Sequence, residues 1–251
     1  MNIVIPMAGA GSRFSSQGYT DPKPLIRING VPMIRVVIEN IKPAMPHKFI
    51  FICQKEHIKK YDLAKNLKKW APGCDIVEIN GITDGAACTV LKSEEIIDND
   101  EPLMIANSDQ YIDININSYI EFIQNTGMDG TIMTMKAHSS KWSYLGLDND
   151  SNITRVVEKE VISDEATVGI YNFSKGSQFV RAANEMIENN LRVNNEFYVA
   201  PVYNMLIKKG FKFNYFNIGN VENGMHGLGT PEDLKVFLKS GSLHEATINL
   251  K

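Results

Sequence analysis

The stretch NIVIPMAGAGSRFSSQGYTDPKPL, residues 2–25, decides the fold. An apolar strand over Ile3–Met7 runs directly into a turn holding Gly9 and Gly11, followed by Arg13 and, ten residues further on, Lys23. Glycine lacks the β-carbon that would hold an anion away from backbone N–H groups, so such a turn can wrap a phosphate closely while the two cations add charge. A dinucleotide fingerprint would need glycine at position 14, where Phe14 stands, and a P-loop would need Gly-Lys followed by Ser or Thr, which is absent. A tight turn with no ligand would explain Gly9 and Gly11 taken alone; Arg13 and Lys23 weigh against it.

Outward from this stretch, short apolar strands at Ile3–Met7, Phe49–Cys53, Ile76–Ile79 and Leu103–Ala106 alternate with helical stretches over 33–42, 55–69 and 85–97. That alternation predicts an α/β fold, Rossmann-like, with a mixed, mostly parallel central sheet flanked by helices. Ile34, Val37, Ile38 and Ile41 recur at helical spacing and form a core stripe, with Arg35 and Glu39 outside it. In open sheets of this kind ligands collect beyond the carboxyl ends of strands, which here are the Gly9 turn and Asn107-Ser108-Asp109. The second half holds extended pieces near 130–137, 143–148, 153–158 and 166–173, helices near 176–189 and 197–208, and a strand near 212–217. A final helix begins at Thr230-Pro231-Glu232-Asp233, where threonine caps, proline fits the first helical position and the acids oppose the dipole. No linker or repeat interrupts the chain, so 1–251 reads as a single domain.

With 251 residues, 43% hydrophobic and 22% charged, the chain can bury a full core. A net charge of −3, a pI of about 6.0 and the lack of a long Lys/Arg run argue against nucleic acid as a partner. Cys53, Cys74 and Cys88 suit free thiols in a reducing compartment, and neither a membrane span nor a signal peptide is legible, so a cytoplasmic location is expected. The five histidines show no zinc-ligand spacing.

The chain resembles the sugar-phosphate nucleotidyltransferases over most of its length. The resemblance implies that the Gly-x-Gly-x-Arg loop and downstream lysine bind and activate a nucleoside triphosphate, with Arg13 and Lys23 catalytic and Ala8, Gly9, Ala10, Gly11 and Ser12 around the nucleotide. It implies a nucleobase segment over Asn80–Ala87, with Asn80, Gly85 and Ala86 as contacts, and Asp109 as the ligand of Mg²⁺. It places Glu158 and Lys159 at a small phosphorylated acceptor, and Gly169-Ile170-Tyr171 and Gly229-Thr230-Pro231-Glu232-Asp233-Leu234 follow its pattern. Tyr144, Gly146, Glu196 and Tyr198 are further acceptor candidates; the segment over 194–198 reads equally well as an ordinary helix opening. On this basis the nucleotide-binding half covers about 1–115 and the acceptor-binding half about 116–251. The chain departs from the pattern at Gly227, where a second metal-binding aspartate is usual, with His226 beside it. It departs also at Ser108, where glycine commonly precedes the aspartate, and at Asn80, where glutamine is common. Closer likeness to the small capsule-biosynthesis members implies CTP as donor and phosphoglutamine as acceptor, with Glu196 meeting the acceptor's ammonium group.

Elementary electrostatics asks for the same equipment. Bringing an acceptor phosphate to an α-phosphate sets like charges together, each unit pair at ~4 Å repelling by ~4 kcal/mol at an effective dielectric of about 20. Cations at Arg13, Lys23 and Lys159 and a Mg²⁺ on Asp109 offset that repulsion. Either one carboxylate with phosphates and waters holds the ion, or another acid replaces the one missing at Gly227. A sugar-1-phosphate acceptor, a nucleotide-sugar-dependent glycosyltransferase and a noncatalytic nucleotide-binding module remain alternatives; Asp109-Gln110-Tyr111 lacks the Asp-x-Asp motif of the glycosyltransferase reading. Edge strands in the second half could pair chains into a homo-oligomer.

Overall fold

The computed structural model describes residues 1–250. One 11-stranded mixed sheet runs through both halves of the chain. Its strands are β1 (Asn2–Pro6), β2 (Lys48–Gln54), β3 (Asp75–Ile79), β4 (Leu103–Ala106), β5 (Gln110–Ile112), β6 (Gly130–Lys136), β7 (Ser143–Leu147), β8 (Ile153–Glu158), β9 (Glu165–Phe173), β10 (Phe213–Val221) and β11 (Gly224–Gly227). They lie in the order β3-β2-β1-β4-β9-β6-β10-β11-β5, with β7 joining β8 to β9. Strands β1 to β4 are parallel, and β9 is antiparallel to both β4 and β6.

The central strands are apolar on both faces because both faces are covered. Ile3 and Ile5 of β1 enter one core with Ile34, Val37, Ile38 and Ile41 of the helix Met33–Ile41, all of them fully buried, whereas Val4 enters the opposite core with Val90, Phe179 and Ala183. Burying each such isoleucine, valine or phenylalanine stabilises the fold by about 1.5–3 kcal/mol. A third, smaller core joins Phe14 to Ile28, Val31, Tyr111, Leu228 and Phe237. It clamps the glycine turn against the segment after β4 and the helix Pro231–Phe237, which fixes the walls of the cleft described below.

Several helices differ from expectation. The stretch over 55–69 breaks at Asp62, which takes the left-handed conformation (φ 49°) that aspartate tolerates better than most residues. The stretch over 85–97 splits into Ala86–Val90, a 3-10 turn over Leu91–Ser93 and Glu94–Ile97; the Ser93 hydroxyl donates back to the Val90 carbonyl at 2.7 Å. The helix expected from 197 starts only at Ala200, because the backbone N–H and carbonyl of Phe197 are engaged by Asp84 and Ala87. A helix over Ile116–Thr126, capped by Asn115 and closed at Gly127, was not expected from the sequence. Among the described residues no helix is long and apolar enough to cross a membrane.

Candidate active-site cleft

Beyond the carboxyl ends of β1 and β4 the two expected ligand sites meet. Gly11 caps a one-turn helix, Ser12–Ser15, with φ at 61°, and among the described residues no protein acceptor takes the backbone N–H groups of Gly9, Ala10, Gly11 or Ser12. A β-carbon on Gly11 would stand 3.4 Å from the Lys23 β-carbon, so turn and lysine are in contact. Lys23 Nζ donates to Asp109 Oδ2 at 2.8 Å, with both side chains less than a quarter exposed. The Leu228 amide holds the Asp109 carbonyl at 2.8 Å, and Gly229 is compelled by the same approach: a β-carbon there would lie 2.5 Å from Asp109 Oδ2.

Two adjoining chambers share Arg13, Lys23, Ser108, Asp109 and Glu196. The first, about 400 Å³, is lined by Ala8, Gly9, Ala10, Gly11 and Ser12 together with Gly85 and Ala86. Ile82 and Thr83, within the expected 80–87 segment, also line it, as does Thr89, which had no distinguishing sequence signal; the Thr83 hydroxyl pairs with that of Thr89 at 2.6 Å and donates to the Gly85 carbonyl. Asn80 is exposed and outside the lining, since the chain turns at Gly81 before reaching the cleft.

The second chamber, about 470 Å³, contains Glu158, Lys159, Gly169, Glu196 and Tyr198. Lys159, itself left-handed, donates from Nζ to the Tyr198 hydroxyl, and its amide donates to the Trp142 carbonyl at 3.0 Å. Gly169 (φ 82°) leaves room for Asn107 and Gln110, whose side chains would meet a β-carbon within 2.6 Å. Tyr144 and Gly146 are not brought here. Period-two alternation along β7 sends Ser143 to the chamber and Tyr144 into the core, where its hydroxyl donates to the Ser139 carbonyl at 2.9 Å, while Gly146 packs under Arg155. Lys141, missed in the sequence, and Asp233, read there only within the 229–234 motif and helix start, line the chamber as an ion pair at 3.0 Å.

At Gly227 an acid from another element stands close by. The Asp233 carboxyl carbon lies 3.4 Å from where a β-carbon on Gly227 would stand, so a carboxylate occupies the neighbourhood that a residue-227 side chain would reach. His226 is turned away from the cleft and pairs with Asp113 at 2.7 Å. Among the described residues no three acid, histidine or cysteine side chains cluster as a metal site, so an ion here would rely on few protein ligands, with phosphate oxygens and waters completing its shell. Cys53, Cys74 and Cys88 are free, none lines the cleft, and burial pushes the Cys53 thiol up to about 12.

Burial raises the Glu158 pKa above the ordinary carboxyl value, opposed by the hydrogen bond from Ser143 and the charge of Lys159. Between the ordinary and the raised value the folded chain holds a proton that the unfolded chain has lost, so this residue withdraws stability as pH rises through that window. Glu158→Gln keeps a partner for Ser143 and abolishes the titration. The gain in Tm over the parent chain is expected to be larger at about pH 7 than at about pH 4; calorimetry giving the same difference at both would contradict the assignment.

The nucleotidyl transferase family profile matches residues 3–203. The mannose-1-phosphate guanylyltransferase catalytic subunit beta of Danio rerio is 26% identical over 179 residues, covering 69% of this chain and 50% of that protein. The chain thus spans about half the length of the curated relatives it matches. Among solved structures, a nucleoside-diphosphate-sugar pyrophosphorylase from Vibrio cholerae superposes with a TM-score of 0.78 at 23% identity, covering 95% of this chain and all of that one. The inositol-1-phosphate CTP transferase from T. maritima does so with 0.70 at 15% identity, covering 96% of each. At these identities the superpositions establish the fold alone.

Proposed function

The chain belongs to the nucleotidyl transferase family, and from that premise we propose that it moves a nucleoside monophosphate from a nucleoside triphosphate to the phosphate of a small acceptor. The observation that carries the proposal is the Lys23–Asp109 pair set where the glycine turn and the acceptor chamber meet. The free N–H groups of the turn and Arg13 receive the β- and γ-phosphates, and Lys23 faces the α-phosphate. An acceptor phosphate oxygen, held by Lys159, attacks the α-phosphorus; the bond to the β-phosphate oxygen breaks and pyrophosphate leaves with the electron pair. The acceptor is already ionised at neutral pH, so no protein base is required. Asp109 would hold Mg²⁺, with Asp233 the acid nearest the vacant side-chain position at Gly227. Both line one chamber; each carboxylate pairs with a lysine, which a cation bound there would have to displace toward the phosphates. When bound, the ion screens the phosphate charges that the lysines alone leave unbalanced.

For the acceptor, the second chamber mixes Lys141 and Lys159 with Glu196 and Asp233. Opposite charges in one chamber favour a ligand with a phosphate and an ammonium group, which supports phosphoglutamine; CTP as donor rests on the resemblance to the capsule-biosynthesis members alone. A sugar-1-phosphate acceptor is the second reading, favoured by the likeness to a mannose-1-phosphate guanylyltransferase and a nucleoside-diphosphate-sugar pyrophosphorylase. A matrix of the four common triphosphates against phosphoglutamine, phosphocholine and sugar-1-phosphates, scored by pyrophosphate release, decides between them. The expected maximum is CTP with phosphoglutamine; a maximum with a sugar-1-phosphate selects the second reading, and no release with any pair overturns both.

A further inference from the structure

A second cavity, about 560 Å³, opens on the far side of the segment that carries Lys23 and shares no lining residue with the cleft. Along that segment Lys23 and Pro24 line the cleft, whereas Asp21 and Leu25 line the second cavity. Three cations converge there from separate elements: Arg27 from the hairpin Arg27–Pro32, Arg35 from the helix Met33–Ile41 and Lys69 from the helix Leu63–Trp70. Among the described residues none of the three is in an ion pair, and Asp21 is the one acid in the lining. Exposed cations are ordinarily satisfied by water, and Arg27 Nη1 donates to the Gly30 carbonyl at 2.7 Å, but the Arg35 Nε–H is buried and has no acceptor. A buried unpaired donor on a guanidinium is costly, and an anion entering beside it would remove that cost. The indole of Trp70 forms part of the same wall.

We propose that this cavity is a second anion site that takes a diphosphate group, the planar forks of Arg27 and Arg35 and the ammonium of Lys69 offsetting its charge. The volume lies within the range of small-molecule pockets and admits either inorganic pyrophosphate or a nucleoside diphosphate. A ligand there touches the same short segment as a ligand at Lys23.

Trp70 and Trp142 are the only tryptophans, so Trp142→Phe leaves Trp70 as the sole indole reporter. Titration of that protein with pyrophosphate, and in parallel with CDP, is expected to give a saturable change in Trp70 emission. Lys69→Glu, at an exposed position, should weaken the apparent affinity at least about tenfold, and Arg27→Gln similarly. Tighter binding of CDP assigns the nucleotide as ligand; equal or tighter binding of pyrophosphate assigns the inorganic anion. Adding Arg13→Ala should leave the Trp70 response intact, which separates this site from the cleft and keeps the test independent of the proposed reaction. No saturable response, or a response undiminished in Lys69→Glu with Arg27→Gln, overturns the proposal.

Discussion

Lys23→Ala is expected to lower turnover by about 10²- to 10³-fold, the scale seen when one positioned donor is removed from the site of developing charge. The lysine stands between the glycine turn and Asp109, so its loss removes a cation from the phosphates and also leaves the Asp109 carboxylate without its partner at 2.8 Å. The fold should barely notice: a partly exposed single pair contributes about 1 kcal/mol or less. A large kinetic loss with a nearly unchanged melting transition is therefore the diagnostic result. Because Lys23 and Asp109 touch, Lys23→Ala combined with Asp109→Asn should cost less than the two single losses multiplied together. Steady-state pyrophosphate release and a urea melt on the three variants check this; near-parental turnover in Lys23→Ala would remove the lysine from the chemistry.

What could be read from the sequence follows from how local the signal is. The parallel strands of the first half and the Ile34–Ile41 stripe are legible because both are written in nearby residues with one periodicity. The Gly9 turn with Arg13 and the Asp109 segment are legible because both lie just past strand ends, where ligands collect in such sheets, whereas Lys23 is singled out as a cation ten residues on and by the family resemblance. The antiparallel pairing of β11 with β5 is not legible, since both strands are short and far apart in the chain, yet it sets Gly227 opposite Gln110 and closes the cleft around Asp109. Asp233 is hidden for the same reason: in sequence it is an acid in the first turn of a capped helix, and only folding places it against Gly227. Tyr144 misleads because its neighbour Ser143 does face the chamber, and a one-residue step along a strand reverses the face. Lys141 carries no pattern at all; its relevance comes from Asp233.

The position where fold and cleft are most tightly coupled is Gly85, and Gly85→Ala is expected to damage both. Its backbone lies at φ 126° and ψ 174°, a region in practice reserved for glycine. A β-carbon there would sit 2.5 Å from both the N and the O of Phe197. Those two atoms carry the bridge between the halves of the site: the Phe197 amide donates to the Asp84 carbonyl at 2.8 Å, and its carbonyl accepts from the Ala87 amide at 2.9 Å. Phe197 cannot retreat, because its ring is buried in the second core, and its neighbours Glu196 and Tyr198 face the acceptor chamber. Strain at the mutated residue and two weakened backbone bonds together predict a loss of about 3 kcal/mol, with higher KM for donor and acceptor alike. Gly81→Ala supplies the comparison. It too has positive φ, 71°, but open space around the would-be β-carbon, so only the conformational penalty of about 1 kcal/mol applies. Urea unfolding of the two variants separates these contributions, and a Gly85→Ala protein no less stable than Gly81→Ala would mean that the Phe197 bridge does not hold the cleft together.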